Sequence, residues 1–174
     1  MASVDQLGQA ATAERYLTFR LAEATYGIAI LKVQEIIGLQ SITRVPQTPR
    51  FVRGVINLRG RVVPVIDLCL RFAMPQAPDT ERTCIVVTQV DGPTGIVTMG
   101  VIVEDVAEVV DIPLDLVEDV PEFGAGVKTE FLLGMGRLDK MVVLLLDIDK
   151  VLSAEEVVLV DRAAEHPSEE ESKR

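Results

Sequence analysis

The chain has 174 residues, 48% of them hydrophobic and only 4% aromatic, with no tryptophan and a formal net charge of −10. That length can bury a good core and leaves room for one domain or two small joined ones. The acidic balance repels phosphate backbones, which argues against nucleic-acid binding, and the longest strongly apolar run, 141–146, is far too short to span a bilayer.

Residues 1–13 are polar, without a basic start or an apolar stretch, so no signal peptide is read there. Cys69 and Cys84 lie in apolar surroundings and read as buried thiols of a reducing compartment, so a cytoplasmic setting is expected. The apolar content is mostly Val, Ile and Leu, and stiff β-branched side chains suit pleated surfaces. Residues 16–21 alternate, with Tyr16, Thr18 and Arg20 on one face and Leu17, Phe19 and Leu21 on the other. A turn at 22–25 and a return strand at 26–30 follow, then a single helical turn at 31–35 and extended chain at 35–40. The runs 52–58 and 61–68 flank Arg59-Gly60 and predict a hairpin. Pro64 removes a ladder donor and places its strand at an edge or bulge. Residues 71–82 read as a connector; 83–90 and 96–103 read as strands around the turn 91–95. Pro113 and Pro121 bracket a loop or short helical segment, and 134–138 with 141–148 predict a second hairpin. Ser153-Ala-Glu-Glu156 before an apolar run fits a capping box that opens a helix, and 166–174 is a charged tail.

The chain repeats itself. Residues 51–68 align without gaps on 131–148, an offset of 80, with Phe51/Phe131, Gly54/Gly134, Leu58/Leu138, Val62/Val142, Val63/Val143 and Asp67/Asp147 identical. An earlier block matches at an offset of 73, 27–37 on 100–110, sharing Gly27/Gly100, Val33/Val106 and Glu35/Glu108. The two blocks predict a duplicated unit of about five short strands, each closing into a barrel to protect its edges. The expected division is a flexible tail over 1–14, a first β-barrel subdomain over 15–82, a second over 83–152, a C-terminal helix over 153–165 and a disordered tail over 166–174.

No grouping of reactive side chains suggests catalysis. His166 stands alone in the tail, neither cysteine has a candidate activating histidine, and Gly124-Ala-Gly126 lacks the lysine of a phosphate loop. Asp67 and Asp147 occupy equivalent strand ends and read as caps. No enzyme, metal site or cofactor is expected. Charge is instead segregated: 41–72 holds Arg44, Arg50, Arg53, Arg59, Arg61 and Arg71 with one acid, whereas 83–127 holds nine acids and no Lys or Arg. Oppositely charged halves steer and orient protein partners, and arginine suits directional pairing at interfaces. Arg59 projects from a hairpin tip, and Glu35 lies in an apolar strip that suits a partner helix. A small-molecule or enzymatic barrel would need a polar interior, and the inward positions here read as Val, Ile and Leu.

The stretches Tyr26-Gly-Ile-Ala-Ile-Leu-Lys-Val-Gln-Glu-Ile-Ile37, Thr43-Arg-Val-Pro46, Phe51-Val-Arg-Gly-Val-Ile-Asn-Leu-Arg-Gly60, Val63-Pro-Val-Ile-Asp67 and Gly100-Val-Ile-Val-Glu-Asp-Val106 resemble the CheW family of chemotaxis coupling proteins. The resemblance runs from about residue 16 to 159 and implies two intertwined SH3-like five-stranded barrels. It implies a non-catalytic adaptor that bridges the cytoplasmic tips of methyl-accepting chemoreceptors to the regulatory domain of the histidine kinase CheA, with CheW-like domains as ring neighbours. Carried over, the receptor groove falls on Val33, Glu35, Ile36, Val103 and Val106. The kinase contact falls on Val45, Asn57, Arg59 and Gly60. The same fold could instead serve a pathway controlling pili or a second messenger.

Overall fold

The computed structural model describes residues 13–76, 78–120 and 129–165. Among them the chain forms β1 (Ala13–Leu21), β2 (Ala24–Ala29), β3 (Val33–Gly38), β4 (Val52–Leu58), β5 (Arg61–Asp67), β6 (Cys84–Gly92), β7 (Gly95–Val103), β8 (Asp105–Pro113), β9 (Val117–Glu118), β10 (Leu132–Leu138) and β11 (Met141–Leu146). A short helix α1 (Leu68–Arg71), a longer helix α2 (Ala154–Glu165) and single 3-10 turns at Ile30–Lys32, Leu114–Leu116, Thr129–Phe131 and Ile148–Lys150 complete it. The expected tails over 1–12 and 166–174, with His166, lie outside the described residues, as do Pro121, Glu122 and Gly124-Ala-Gly126. Ala13 and Glu14, expected in the tail, instead pair with Pro113 and Ile112.

The hairpins follow from their turn residues. Arg59 and Gly60 both have positive φ, 52° and 85°, and so do Ala22 and Glu23, 48° and 70°. Two such residues match the twist of the flanking strands, so each loop is two residues long. The first turn is therefore tighter than the four residues expected. β8 was not recognised as a strand. Its exposed residues mix the apolar Ala107 and Val109 with the acidic Glu108 and Asp111 and only Ile112 is fully buried, which leaves no clean alternation.

Two sheets result, ordered β3-β6-β7-β5-β4 (barrel 1) and β8-β1-β2-β11-β10-β9 (barrel 2). Neither is confined to 15–82 or to 83–152. The hairpin β1–β2 joins strands of the second half, and β6–β7 joins strands of the first. Parallel contacts make the exchange: β2 lies beside β11 with Gly27 opposite Leu145, and β7 lies beside β5 with Gly100 opposite Val65. Val65 and Leu145 are themselves 80 residues apart, so the two junctions are copies. Both glycines are needed for this close approach; a Cβ on Gly100 would lie 2.8 Å from Ile85 and one on Gly27 would lie 3.1 Å from Val143. Barrel 1 closes where Thr43, beyond β3, bridges Val55 of β4. Barrel 2 closes at the equivalent place, where β9 pairs with β10.

Each barrel is filled by its own apolar residues, Val63, Val65, Ile85 and Val87 in barrel 1 and Tyr16, Ile112, Val143 and Leu145 in barrel 2. A larger core built around Phe19, Tyr26, Ile66, Val86, Val101 and Leu146 lies between them. Strands such as β1 are therefore buried on both faces. Pro64 is not on an edge strand, since β5 lies between β7 and β4. It loses no bond, because Val55 opposite it directs both its N–H and C=O to Thr43, at 2.8 Å each, and the ladder with β7 begins only at Val65.

The equivalent acids act as expected of caps. Asp67 Oδ1 accepts from the Leu70 N–H at 3.2 Å, and Asp147 Oδ1 accepts from the Asp149 N–H at 3.2 Å. The capping box forms reciprocally: the Ser153 N–H donates to Glu156 at 2.7 Å and the Glu156 N–H donates to the Ser153 hydroxyl at 3.1 Å. Ser153→Ala is expected to cost about 1 kcal/mol, read as a fall of roughly 3 °C in Tm by circular dichroism.

Arg71 pins the two halves. Its guanidinium lies 5.2 Å from the Phe51 ring and 4.9 Å from the Phe131 ring, which are repeat equivalents. It also donates to the Val151 carbonyl at 2.7 Å and to Glu156 at 3.2 Å. Arg71→Leu keeps the apolar stem and removes both sets of contacts. The expected loss is roughly 2 kcal/mol, measured as a lower urea midpoint at unchanged slope.

Candidate protein-binding surface

The β4–β5 tip is built by its backbone. Asn57 Oδ1 accepts from the Gly60 N–H at 2.8 Å, which holds the turn. Arg59, in the left-handed region, then projects across the barrel mouth. Its guanidinium forms a two-pronged pair with the Glu35 carboxylate, Nη1 to Oε1 at 3.0 Å and Nη2 to Oε2. Glu35 comes from β3, at the opposite end of the sheet order from β4, and only closure of barrel 1 brings the two together. The arginine hydrogen bonds hold the Glu35 carboxyl below its usual range, and the same bonds raise Arg59. The arginine side chain keeps 68% of its surface exposed against 25% for the glutamate, so the pair shows its basic side to solvent.

The remaining expected residues separate into two groups. Ile36 is exposed beside Glu35, and Val33 is half-buried against the shared core. Val45 is half-buried, with its carbonyl accepting from the Thr48 hydroxyl at 2.8 Å. Val33, Glu35, Ile36, Val45, Asn57, Arg59 and Gly60 thus all belong to barrel 1 or its closing segment. Val106, on β8, belongs to barrel 2 and packs against the same shared core as Val33. Val103 is a correction. It is 0% exposed, so it supports a surface from beneath and offers none itself.

The sequence did not single out Leu31. It is 91% exposed at the middle of the turn Ile30–Lys32, beside a groove lined by Glu14, Arg15 and Ala29. Its neighbour Lys32 fastens the turn to Asp149 at 2.9 Å and Asp91 at 3.3 Å. The only signal available was its place between Ile30 and Lys32 in a one-turn element, where one residue must face outward.

The arrangement offers surfaces and little chemistry. A cavity near the connector, lined by Asp67, Cys69, Gln76 and Thr83, measures about 20 Å³, about the space for one water. The Cys84 thiol is pushed up by burial and by nearby Asp105, away from the reactive thiolate. Among the described residues no three His, Cys, Asp or Glu side chains come together as metal ligands, and no helix is long and apolar enough to cross a membrane.

A CheW-like domain matches residues 15–156. The chain belongs to the CheW family. It is 39% identical over 164 residues to the Chemotaxis protein CheW of Klebsiella aerogenes, covering 94% of this chain and 96% of that one. Protein FrzA of Myxococcus xanthus is 32% identical over 129 residues, covering 73% and 76%. Among solved structures, the scaffolding protein TtCheW of Thermoanaerobacter tengcongensis superimposes with a TM-score of 0.73 at 31% identity, covering 82% of this chain and 90% of that one. This CheW-type fold, two small SH3-like barrels, agrees with the architecture expected from the sequence.

Proposed function

We propose that the chain is a non-catalytic adaptor that couples the cytoplasmic tips of chemoreceptors to the regulatory domain of the histidine kinase CheA. The observation that carries this reading is the Glu35–Arg59 pair. Residues that the CheW resemblance assigns to the receptor side and to the kinase side are bonded to each other on one barrel. Exposed Ile36 beside Glu35 supplies an apolar contact for a receptor helix, with Val33 and Val106 beneath. Val45, Asn57 and Gly60 frame Arg59 on the kinase side. Membership of a family containing a scaffolding protein, and filled barrel interiors that leave no sizeable pocket there, support a role exercised through surfaces. In this reading the chain acts in the cytoplasm and is recruited to membrane receptor arrays, where further CheW-like domains are its neighbours.

Reconstitution of a receptor signalling fragment, the kinase and this chain tests the reading. Glu35→Lys is expected to lower receptor-dependent kinase activation by about tenfold, because it reverses the charge beside the apolar strip and breaks the pair. Unchanged activation by a well-folded Glu35→Lys protein would count against it. The similarity to FrzA supports a second reading, in which the same scaffold serves another chemosensory circuit, such as one controlling pili or a second messenger. Identification of the receptor that co-purifies separates the two.

A further inference from the structure

The duplication allows the end of β7 in barrel 1 to be compared with the end of β2 in barrel 2. Gly27 aligns on Gly100, so Ala29, Ile30 and Leu31 correspond to Ile102, Val103 and Glu104. Tyr16 lies opposite Ala29 as Ile85 lies opposite Ile102, so the start of β1 corresponds to the start of β6 at an offset of 69.

In barrel 1 this place is covered by the connector. The chain reverses just before β6, where the Thr83 N–H donates to the Thr80 carbonyl at 3.1 Å, and Gln76, Pro78 and Asp79 enclose a cavity with Ile102 and Val103. Arg53 clamps the connector down. It donates to Asp67 at 3.1 Å and to Asp79 at 2.9 Å, and Gln76 donates to the same Asp67 oxygen at 3.3 Å. Only about 20 Å³ is left inside. In barrel 2 the same place is open, a groove of about 420 Å³ along Ala13, Glu14, Arg15, Ala29, Ile30 and Leu31.

The residues at the two places differ in one direction. Glu104 is replaced by Leu31, which at 91% is the most exposed large apolar residue among those described. Arg53 is replaced, at the offset of 80, by Leu133, which is 50% exposed. The offset of 69 sets Leu7 in the place of Gln76 and Ala10 in the place of Asp79. One exposed leucine would be ordinary. Here both surface positions have turned apolar, and so have the two positions of the chain that would cover them.

We propose that residues 1–12, which lie outside the described residues, turn back before β1 as the connector turns back before β6 and close this groove, with Leu7 seated on the apolar rim that Leu31 and Leu133 supply. The segment enters at Ala13, part of the groove wall, so its local concentration is on the order of millimolar and a modest apolar contact is enough to hold it. The contact is made within one chain and does not depend on the adaptor reading.

The chain has no tryptophan, so Leu7→Trp in the full chain reports on the segment alone. Its fluorescence is expected to be quenched by acrylamide roughly threefold more slowly than that of the same tryptophan in a synthetic peptide of residues 1–12. Adding Leu31→Asp should bring quenching to the rate of the peptide, with circular dichroism confirming the fold. Adding Ala10→Asp, which leaves both barrels unaltered, should do the same. Quenching in the full chain at the peptide's rate would overturn the proposal and leave the groove to a partner protein. Protection that survives both added substitutions would overturn it too, as would protection that grows with protein concentration, which would seat the segment on a second copy.

Discussion

Replacing Gly54 with alanine is expected to lower the unfolding free energy by roughly 4 kcal/mol, among the largest effects of any single methyl group in the chain. Gly54 has φ of +144°, a conformation L side chains rarely adopt, and a Cβ there would sit 2.2 Å from the Thr43 carbonyl oxygen and 2.7 Å from its carbon. Those atoms are backbone, so no rotamer change relieves the clash. Thr43 also exchanges two 2.8 Å hydrogen bonds with Val55, and these close barrel 1. The methyl group therefore strains the irregularity in β4 between Val52 and Gly54 and opens the seam of the barrel together. Gly38 is the control. Nothing lies within 4 Å of a Cβ at that position, and Gly38→Ala should change stability by less than about 1 kcal/mol. Urea denaturation followed by circular dichroism measures both, and a loss below 1 kcal/mol for Gly54→Ala would show that the seam does not support the fold.

Arg59→Glu is the largest expected functional effect: binding to the kinase regulatory domain falls by about 100-fold, near 2.7 kcal/mol, while the fold persists. The side chain is mostly exposed, and exposed ion pairs add little to stability, so the protein should unfold within about 1 kcal/mol of the parent. The substitution places one acid beside another and reverses the sign of the projecting tip. A double substitution, Glu35→Arg with Arg59→Glu, separates two explanations. It rebuilds the pair with its ends exchanged. Stability should return, whereas kinase binding should stay weak because the tip still presents an acid. Kinase binding at the parental level by a folded Arg59→Glu protein, followed by calorimetry, would remove Arg59 from the interface.

Much of the local structure was readable because its causes are local. Arg59-Gly60 marks a hairpin since two residues with positive φ suit a two-residue loop, and that loop is present. Ser153 and Glu156 stand three residues apart with an apolar run behind them, and the reciprocal cap forms. Asp67 and Asp147 were placed as caps by their equivalence, and both cap. β8 escaped because its apolar residues alternate poorly, with Val109 exposed and only Ile112 fully buried. Val103 was misplaced because an apolar residue at a strand end looks alike whether it lines a groove or fills a core. The Glu35–Arg59 pair was missed as a pair, although both members were chosen. They are 24 residues apart, and nothing between them announces that the sheet curls until its two edges meet.

The sequence by itself determined the strands, the duplication, the CheW resemblance and the opposite charge of the two halves, because alternation, turn chemistry, repeated residues and net charge are properties of short stretches. Only the tertiary structure decided which hairpin fills which barrel. β5 and β11 are copies, so each offers a similar apolar edge to β2 or to β7, and local pattern cannot distinguish a closed unit from an exchanged one. The path of the chain through the shared core settles it: each hairpin crosses to the other unit, and Glu35 and Arg59 become neighbours when barrel 1 closes.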